Sequence, residues 1–239
     1  MNQLLDNILD AHGGLDRWNE YQRVEATIVS GGGLFPLKGA PQDSSPRRMT
    51  VWLREERASV FPYGAPDQRT MFTPDRIAIE KLDGSLVAER YAPRDSFAGH
   101  HMNTPWDPLH RAYFNGYAMW TYLTTPFLLA MDGVRVEETE SWREGMETWR
   151  VLRAYIPGSM ETHSLVQDFF FGEDLLLRRH DYSVNIAGGF GAAQLTSDYV
   201  TANGFRLPTK RRAHTRGPDR RPILDMLMVS IDLSEIRYE

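Results

Sequence analysis

From Ala112 to Met131 the chain runs through twenty residues without a formal charge, six of them aromatic. A segment of that kind has to be buried, and the rest of the chain must be built to bury it. Its start is well marked. Asp107 is a good N-cap, with a carboxylate able to accept from the free amides of the first turn. Pro108 stands at the first helical position, where a missing N–H is harmless. At about 100° per residue, Leu109, Ala112, Tyr113, Gly116, Tyr117, Met119, Trp120 and Leu123 share one face. Asp107, His110, Arg111, Asn115, Ala118, Thr121 and Tyr122 share the other, with Phe114 intruding there. The i, i+4 spacing lets Asp107 pair with Arg111. Pro126 is expected to kink or end the helix near Thr124–Thr125, and Asp132-Gly133 to close the segment 107–131 as a turn.

Such a helix can lie in a core under a sheet, form one wall of an apolar ligand cavity, or cross a membrane. The uncharged length is near the ~20 residues a bilayer requires. Asn115, Gly116, Thr121, Thr124, Thr125 and Pro126 interrupt it, however, and a polar face remains. No membrane span is expected; an amphipathic helix buries its apolar stripe in the core.

What surrounds it reads as strands. Short helices over 2–21 come first: Asn2 to Ala11 with Leu4, Leu5, Ile8 and Leu9 on one side, a break at His12-Gly13-Gly14, then Leu15 to Tyr21 with Trp18 inward. Val24, Ala26, Ile28 and later Met49, Val51, Leu53 alternate with polar partners, the period-two signature of half-buried strands. Further strands are expected at 58–61, 68–72, 76–81 and 87–90, with Asp83-Gly84 as a hairpin turn. Pro93 to Pro105 reads as a loop. After Gly133, segments 134–141 and 148–156 pair across Glu144-Gly145, 165–171 and 175–182 across Gly172-Glu173-Asp174, and 193–201 and 205–215 across Asn203-Gly204; 226–238 closes the chain. The hairpins repeat in style and not in sequence, so this is a meander and not a solenoid. The expected fold is α+β: a large curved antiparallel sheet, a half-open barrel, wrapped around a central helix with short N-terminal helices, in one domain spanning 1–239.

Composition narrows the function. A net charge of -5 argues against nucleic acid. The absence of cysteine excludes disulfides, thiolate chemistry and Cys-type zinc sites. Nothing calls for a cofactor. The start, MNQLLDNILDAHGG, lacks a basic n-region, a long apolar stretch and a small-residue cleavage site, so a cytoplasmic location is expected.

Motifs for chemistry are sparse. His100, His101, Asp107 and His110 are the only local cluster with metal-ligand character, without the H-E-x-x-H arrangement; loop histidines and a capping Asp are the simpler reading. No serine has a G-x-S-x-G setting. Ser30-Gly31-Gly32-Gly33-Leu34 and Gly188-Gly189-Phe190-Gly191 lack phosphate-loop spacing and read as turns. Lys210-Arg211-Arg212, followed by Arg216, Arg220 and Arg221, reads as the solvated face of a strand and its turn, with an acidic headgroup or a protein partner as the alternative.

Three phrases carry a family likeness: His12-Gly13-Gly14-Leu15-Asp16-Arg17-Trp18, Arg179-His180-Asp181-Tyr182 ahead of the Gly188-Gly189 turn, and Gly204-Phe205-Arg206-Leu207-Pro208-Thr209-Lys210-Arg211. With the order of elements, they make the chain resemble the bacterial lipoprotein-localisation-factor-like superfamily, that of the LolA/LolB-like folds. The resemblance implies a curved sheet over helices enclosing an apolar cavity that accepts acyl chains. It carries over none of the family's functional residues.

The resulting expectation is a non-catalytic binding protein or carrier for a lipophilic small molecule, a lipid or acyl chain. Tyr113, Phe114, Tyr117, Trp120 and Phe127 would line the wall, with His110 and Arg111 near a mouth. The alternatives are an enzyme on the same cavity using His100, His101 or His110, and a protein-interaction domain with a filled core.

Overall fold

The computed structural model describes residues 3–41 and 43–239. Helix α1 (Gln3–Ala11) buries Leu4, Leu5, Ile8 and Leu9; Asn2, its expected first residue, lies outside the described residues. After the glycine break, α2 (Leu15–Trp18) turns Trp18 inward. Strand β1 (Arg23–Gly31) alternates strictly between buried and half-buried residues, as its period-two pattern requires. There follow α3 (Leu34–Leu37), β2 (Arg47–Trp52), β3 (Arg57–Phe61), β4 (Gln68–Thr73), β5 (Arg76–Lys81) and β6 (Leu86–Tyr91). Beyond the central helix α4 (Pro108–Thr124) come β7 (Arg135–Glu144), β8 (Glu147–Tyr155), β9 (Val166–Phe171), β10 (Leu177–Val184), β11 (Phe190–Ala202), β12 (Phe205–Arg216) and β13 (Pro222–Tyr238).

The thirteen strands of the described residues form one antiparallel sheet in the order β6-β5-β4-β3-β2-β1-β13-β12-β11-β10-β9-β8-β7. The path is simple. A first meander walks outward from β1 to β6, α4 carries the chain to the opposite edge, and a second meander walks back from β7 to β13. The two meet where β1 pairs with β13. The expected hairpin turns are present, and at Asn203-Gly204 both residues take positive φ, 48° and 84°, the pairing that a tight two-residue hairpin favours. Of the two glycine-rich stretches read as turns, Ser30-Gly31 instead ends β1, Leu34 begins α3 and Phe190-Gly191 begins β11. Two strands begin earlier than expected, β11 at Phe190 and β13 at Pro222. A 3-10 turn, Pro93–Phe97, occupies part of the expected loop.

Helix α4 is capped as its sequence dictates: the Asp107 carboxylate accepts from His110 N at 2.8 Å, and Asp107 N donates to His110 Nδ1 at 3.1 Å. It ends at Thr124, with Thr125 extended before Pro126. Two expectations fail. Asp107 does not pair with Arg111; it meets Arg90 at 2.6 Å, while Arg111 donates to the Tyr63 hydroxyl at 3.2 Å and the Pro41 carbonyl at 2.9 Å. Tertiary partners outcompete the weak local pair. Nor is there an exposed polar face over most of the helix: Phe114, Ala118, Thr121 and Tyr122 are all buried, with Phe35 and Trp106 over Phe114 and Tyr182 and Arg211 of the second meander on Tyr122. The Thr121 hydroxyl satisfies itself on the Tyr117 carbonyl at 2.9 Å. Toward β4 the helix approaches so closely that a Cβ at Gly116 would overlap the Phe72 side chain. Among the described residues, no helix is long and apolar enough to cross a membrane.

Candidate functional site

The residues singled out along α4 form its contacts with both halves of the sheet. Tyr113, fully buried, lies edge-on to Phe72 at 5.7 Å. Its hydroxyl donates to Glu161, which also holds Arg94 at 2.6 Å. Phe114 packs between Phe35 and Trp106 at 5.9 and 5.2 Å. The Trp120 indole N–H donates to the carbonyls of Trp52 and Glu55, each at 3.0 Å, closing the β2–β3 turn over the helix. Phe127 stacks on Trp18 at 4.2 Å. His110 and Arg111 sit half-buried at the opposite, N-terminal end.

On the other flank of the helix lies an arrangement that spacing could not reveal. The β8–β9 loop inserts His163, 1 % exposed, against α4. Its ring stacks on Tyr182 at 4.0 Å and 6°. Its Nδ1 meets the Tyr117 hydroxyl at 3.1 Å and its Nε2 the Tyr122 hydroxyl at 2.7 Å. From Tyr122 the network runs to the Tyr182 hydroxyl at 2.8 Å, on to Gln194 at 3.3 Å, and to Arg211, which donates to Gln194 Oε1 at 2.9 Å. Arg211 closes the circuit on the Tyr122 carbonyl at 2.8 Å. That carbonyl belongs to the last turn of α4, the negative end of its dipole, which is where a buried guanidinium without a carboxylate is best accommodated. Burial pushes the His163 pKa down to about 3, assisted by Arg94, so the ring is neutral. A neighbouring pair, His180 and Gln167, meets at 2.5 Å.

The same loop is fastened near the β2–β3 turn, where Glu161 N donates to the Glu56 carboxyl at 3.0 Å. Burial raises the Glu56 pKa to about 8, with the nearby Glu161 charge adding to the rise. Glu56 is therefore mostly protonated at neutral pH, which spares two facing carboxylates their repulsion.

No family model matches the sequence, and no curated protein matches it. Solved structures do match. A DUF1329 family protein from Desulfovibrio piger superposes with a TM-score of 0.55 at 13% identity, covering 99% of this chain and 92% of that one. A domain described as belonging to an outer membrane lipoprotein-sorting protein from Vibrio parahaemolyticus gives a TM-score of 0.56 at 10% identity, over 99% and 91%. A LolA superfamily protein from Nitrosomonas europaea gives 0.50 at 11% identity, over 94% and 91%. The fold is LolA-like.

Within this LolA-like frame, the space beside the helix is small. The cavity bounded by Phe35, Phe114, Ala118, Met119, Tyr122 and Ile231 measures about 10 Å³, room for about one water. Larger concavities lie at the periphery. A cleft of about 550 Å³ opens at the C-terminal end of α4, floored by Trp18, Leu53 and Phe127 and rimmed by Leu15, Arg54, Ala130, Met131 and Asp132. A groove of about 560 Å³ runs over the outer face of β1–β3 and β13, between Arg47, Arg48, Arg237, Glu25 and Glu235. Of the two, the cleft touches the aromatic interior and the groove does not.

The remaining expected groups fall as follows. The His100 and His110 rings come within 5.1 Å of one another, yet no three His, Cys, Asp or Glu among the described residues are placed to hold a metal ion. Lys210, Arg211 and Arg212 do not share a face. Alternation turns Arg211 into the core with Leu207 and Ala213, while Lys210 pairs with Asp198 and Arg212 with Asp232, at 2.5 and 2.6 Å. Arg216, Arg220 and Arg221 are likewise paired, with Asp181, Asp168 and Glu144.

Proposed function

We propose that this protein is a non-catalytic carrier of a lipophilic small molecule, a lipid or an acyl chain, taken up between α4 and the sheet. The observation that carries the reading is the cleft of about 550 Å³ whose apolar floor, Trp18 and Phe127, continues into the aromatic packing of the helix. The LolA-like fold supports it, as does the lipoprotein-sorting description of one structural neighbour. An acyl chain enters past Leu15, Ala130 and Met131 and spreads the interior by displacing side chains, since the closed form leaves about 10 Å³ there. Tyr113, Phe114, Tyr117, Trp120 and Phe127 form its wall, with His110 and Arg111 at the far end.

Native mass spectrometry of the purified protein, before and after incubation with a mixed lipid extract, tests this directly. A bound lipid is expected. A bare protein mass in both cases would leave the core filled by its own side chains and move the function to the surface. Ala130→Trp plugs the cleft at an exposed position. It is expected to weaken binding of a fluorescent fatty acid by about tenfold, roughly 1.4 kcal/mol, at unchanged thermal stability; equal affinity would place the entrance elsewhere.

A further inference from the structure

We infer that Lys38, Trp106, His110 and His100 form a binding site for a small oxyanion, a phosphate or carboxylate group, beneath the loop that leads into α4. This site lies at the other end of the helix from the cleft.

The argument starts from Lys38, which is 0 % exposed. Its ammonium has three donors. One reaches the His101 carbonyl at 2.7 Å, and the charge stands 5.1 Å from the centre of the Trp106 ring. No carboxylate among the described residues pairs with it. A buried charge without a counter-charge is strongly disfavoured. Burial lowers the Lys38 pKa to about 8, which still leaves it mostly protonated at neutral pH. The contrast with Arg211 is instructive: that cation rests on the negative end of α4, whereas Lys38 lies beside the residues that precede the positive end.

Three more ring nitrogens belong to the same cluster. Among the described residues the buried Trp106 indole N–H and His100 Nδ1 find no partner, and the buried His110 ring has, on its Nε2 side, only the Ser96 backbone near it. The His110 Nδ1 lies 3.1 Å from Asp107 N and 3.0 Å from Asp107 Oδ1; when it accepts the amide, the neutral ring carries its proton on Nε2, which then donates. All three rings gather on Phe97, at 5.3 Å for His100, 5.8 Å for Trp106 and 4.6 Å for His110. The charged and titratable groups facing the cluster are Lys38, His100, His101, His110, Arg90 and Asp107. The one carboxylate, Asp107, is already engaged by Arg90 and by the helix amide. Both His100 and His110 are pushed down, first by burial and then by neighbouring positive charge. Clustered, unpartnered ring nitrogens beside a buried cation select an acceptor-only anion. The loop over the cluster exposes His101, Asn103 and Pro105 and rests against the Gly188 turn at His101 and Met102, so a ligand enters by way of this loop.

Calorimetric titration of the purified full chain with inorganic phosphate at pH 7, at matched ionic strength in chloride, tests the site. Saturable binding is expected, weakened by about tenfold or more in Lys38→Met and severalfold in Trp106→Phe, which keeps an aromatic ring and removes the N–H donor together with part of the indole's volume. Sulfate, whose charge is constant above neutrality, should bind progressively less as pH rises through 8 and Lys38 loses its proton. Decyl phosphate and decanol separate the sources of the anion. Decyl phosphate tighter than phosphate, with decanol inert, assigns the site to the head of an amphiphile; equal affinities assign it to a free oxyanion. Failure of both phosphates to bind overturns the site whatever becomes of the cleft, and so does full affinity in folded Lys38→Met. Should that variant not fold, unchanged affinity in Trp106→Phe together with pH-independent sulfate binding overturns it equally.

Discussion

The two flanks of α4 are held by different physics. Toward β4 the contact is close and apolar, with Gly116 against Phe72 and no room for a methyl group. Toward β10–β12 and the β8–β9 loop it is polar, a circuit of hydrogen bonds through His163, Tyr117, Tyr122, Tyr182, Gln194 and Arg211. Close packing tolerates no change of volume, but it is indifferent to pH. A buried polar circuit is stable only while every member keeps its protonation state and its partner.

Acid should break this comparison most severely. His12 and His163, with pKa values lowered to about 4 and about 3, are neutral in the fold, as is His180, which lies well below 6.5. In the unfolded chain each takes up a proton near pH 6.5. Their contribution is therefore complete above that pH and declines as pH falls toward the folded values, by up to about 1.4 kcal/mol per unit for each histidine. Glu56 works in the opposite sense. Its folded pKa of about 8 lies above the ordinary glutamate value of 4.5, so the fold gains as pH falls from 8 to 4.5. Denaturant melts should show stability rising as pH falls from 8 to about 6.5, where Glu56 takes up its proton in the fold, and falling from 6.5 to 4.5, where three histidines outweigh it; Glu56→Gln should lose the rise and steepen the fall. A flat profile would mean that the histidines are not neutral in the core.

The next largest effect is expected from His163→Ala, which removes a stacked ring and leaves the hydroxyls of Tyr117 and Tyr122 short of a partner. A loss of about 3–5 kcal/mol follows from the lost packing and orphaned polar groups, and hydrogen exchange should rise first in the β8–β9 loop. Gly116→Ala probes the apolar flank. Overpacking there should destabilise by about 1–3 kcal/mol without altering the pH profile. A tolerated alanine would show that the flank yields more readily than its spacing suggests.

Much of the sheet was legible from period-two alternation and turn chemistry, as in β1 and at Asp83-Gly84 and Asn203-Gly204, because those signals are local. The cap at Asp107 and the end before Pro126 were legible for the same reason. The surroundings of α4 were not. Thr121 and Tyr122 look like an exposed face in sequence, and only a second meander arriving from beyond residue 134 buries them. His163 lies in a loop, where no periodicity assigns a partner. Arg211 carried a readable signal, its register with Leu207 and Ala213, which the adjoining Lys210 and Arg212 masked by making a basic run.

The strand order also dictates how the molecule is made. Its central pairing, β1 with β13, joins the first strand of the chain to the last, so the middle of the sheet is the final part to become available during synthesis. Until then β1 and β12 both present unpaired edges, and the longest loop closure in the chain has still to occur. Such an order predicts slow maturation and a nascent form prone to misassociation, in which one late strand turns two separate halves into a single sheet.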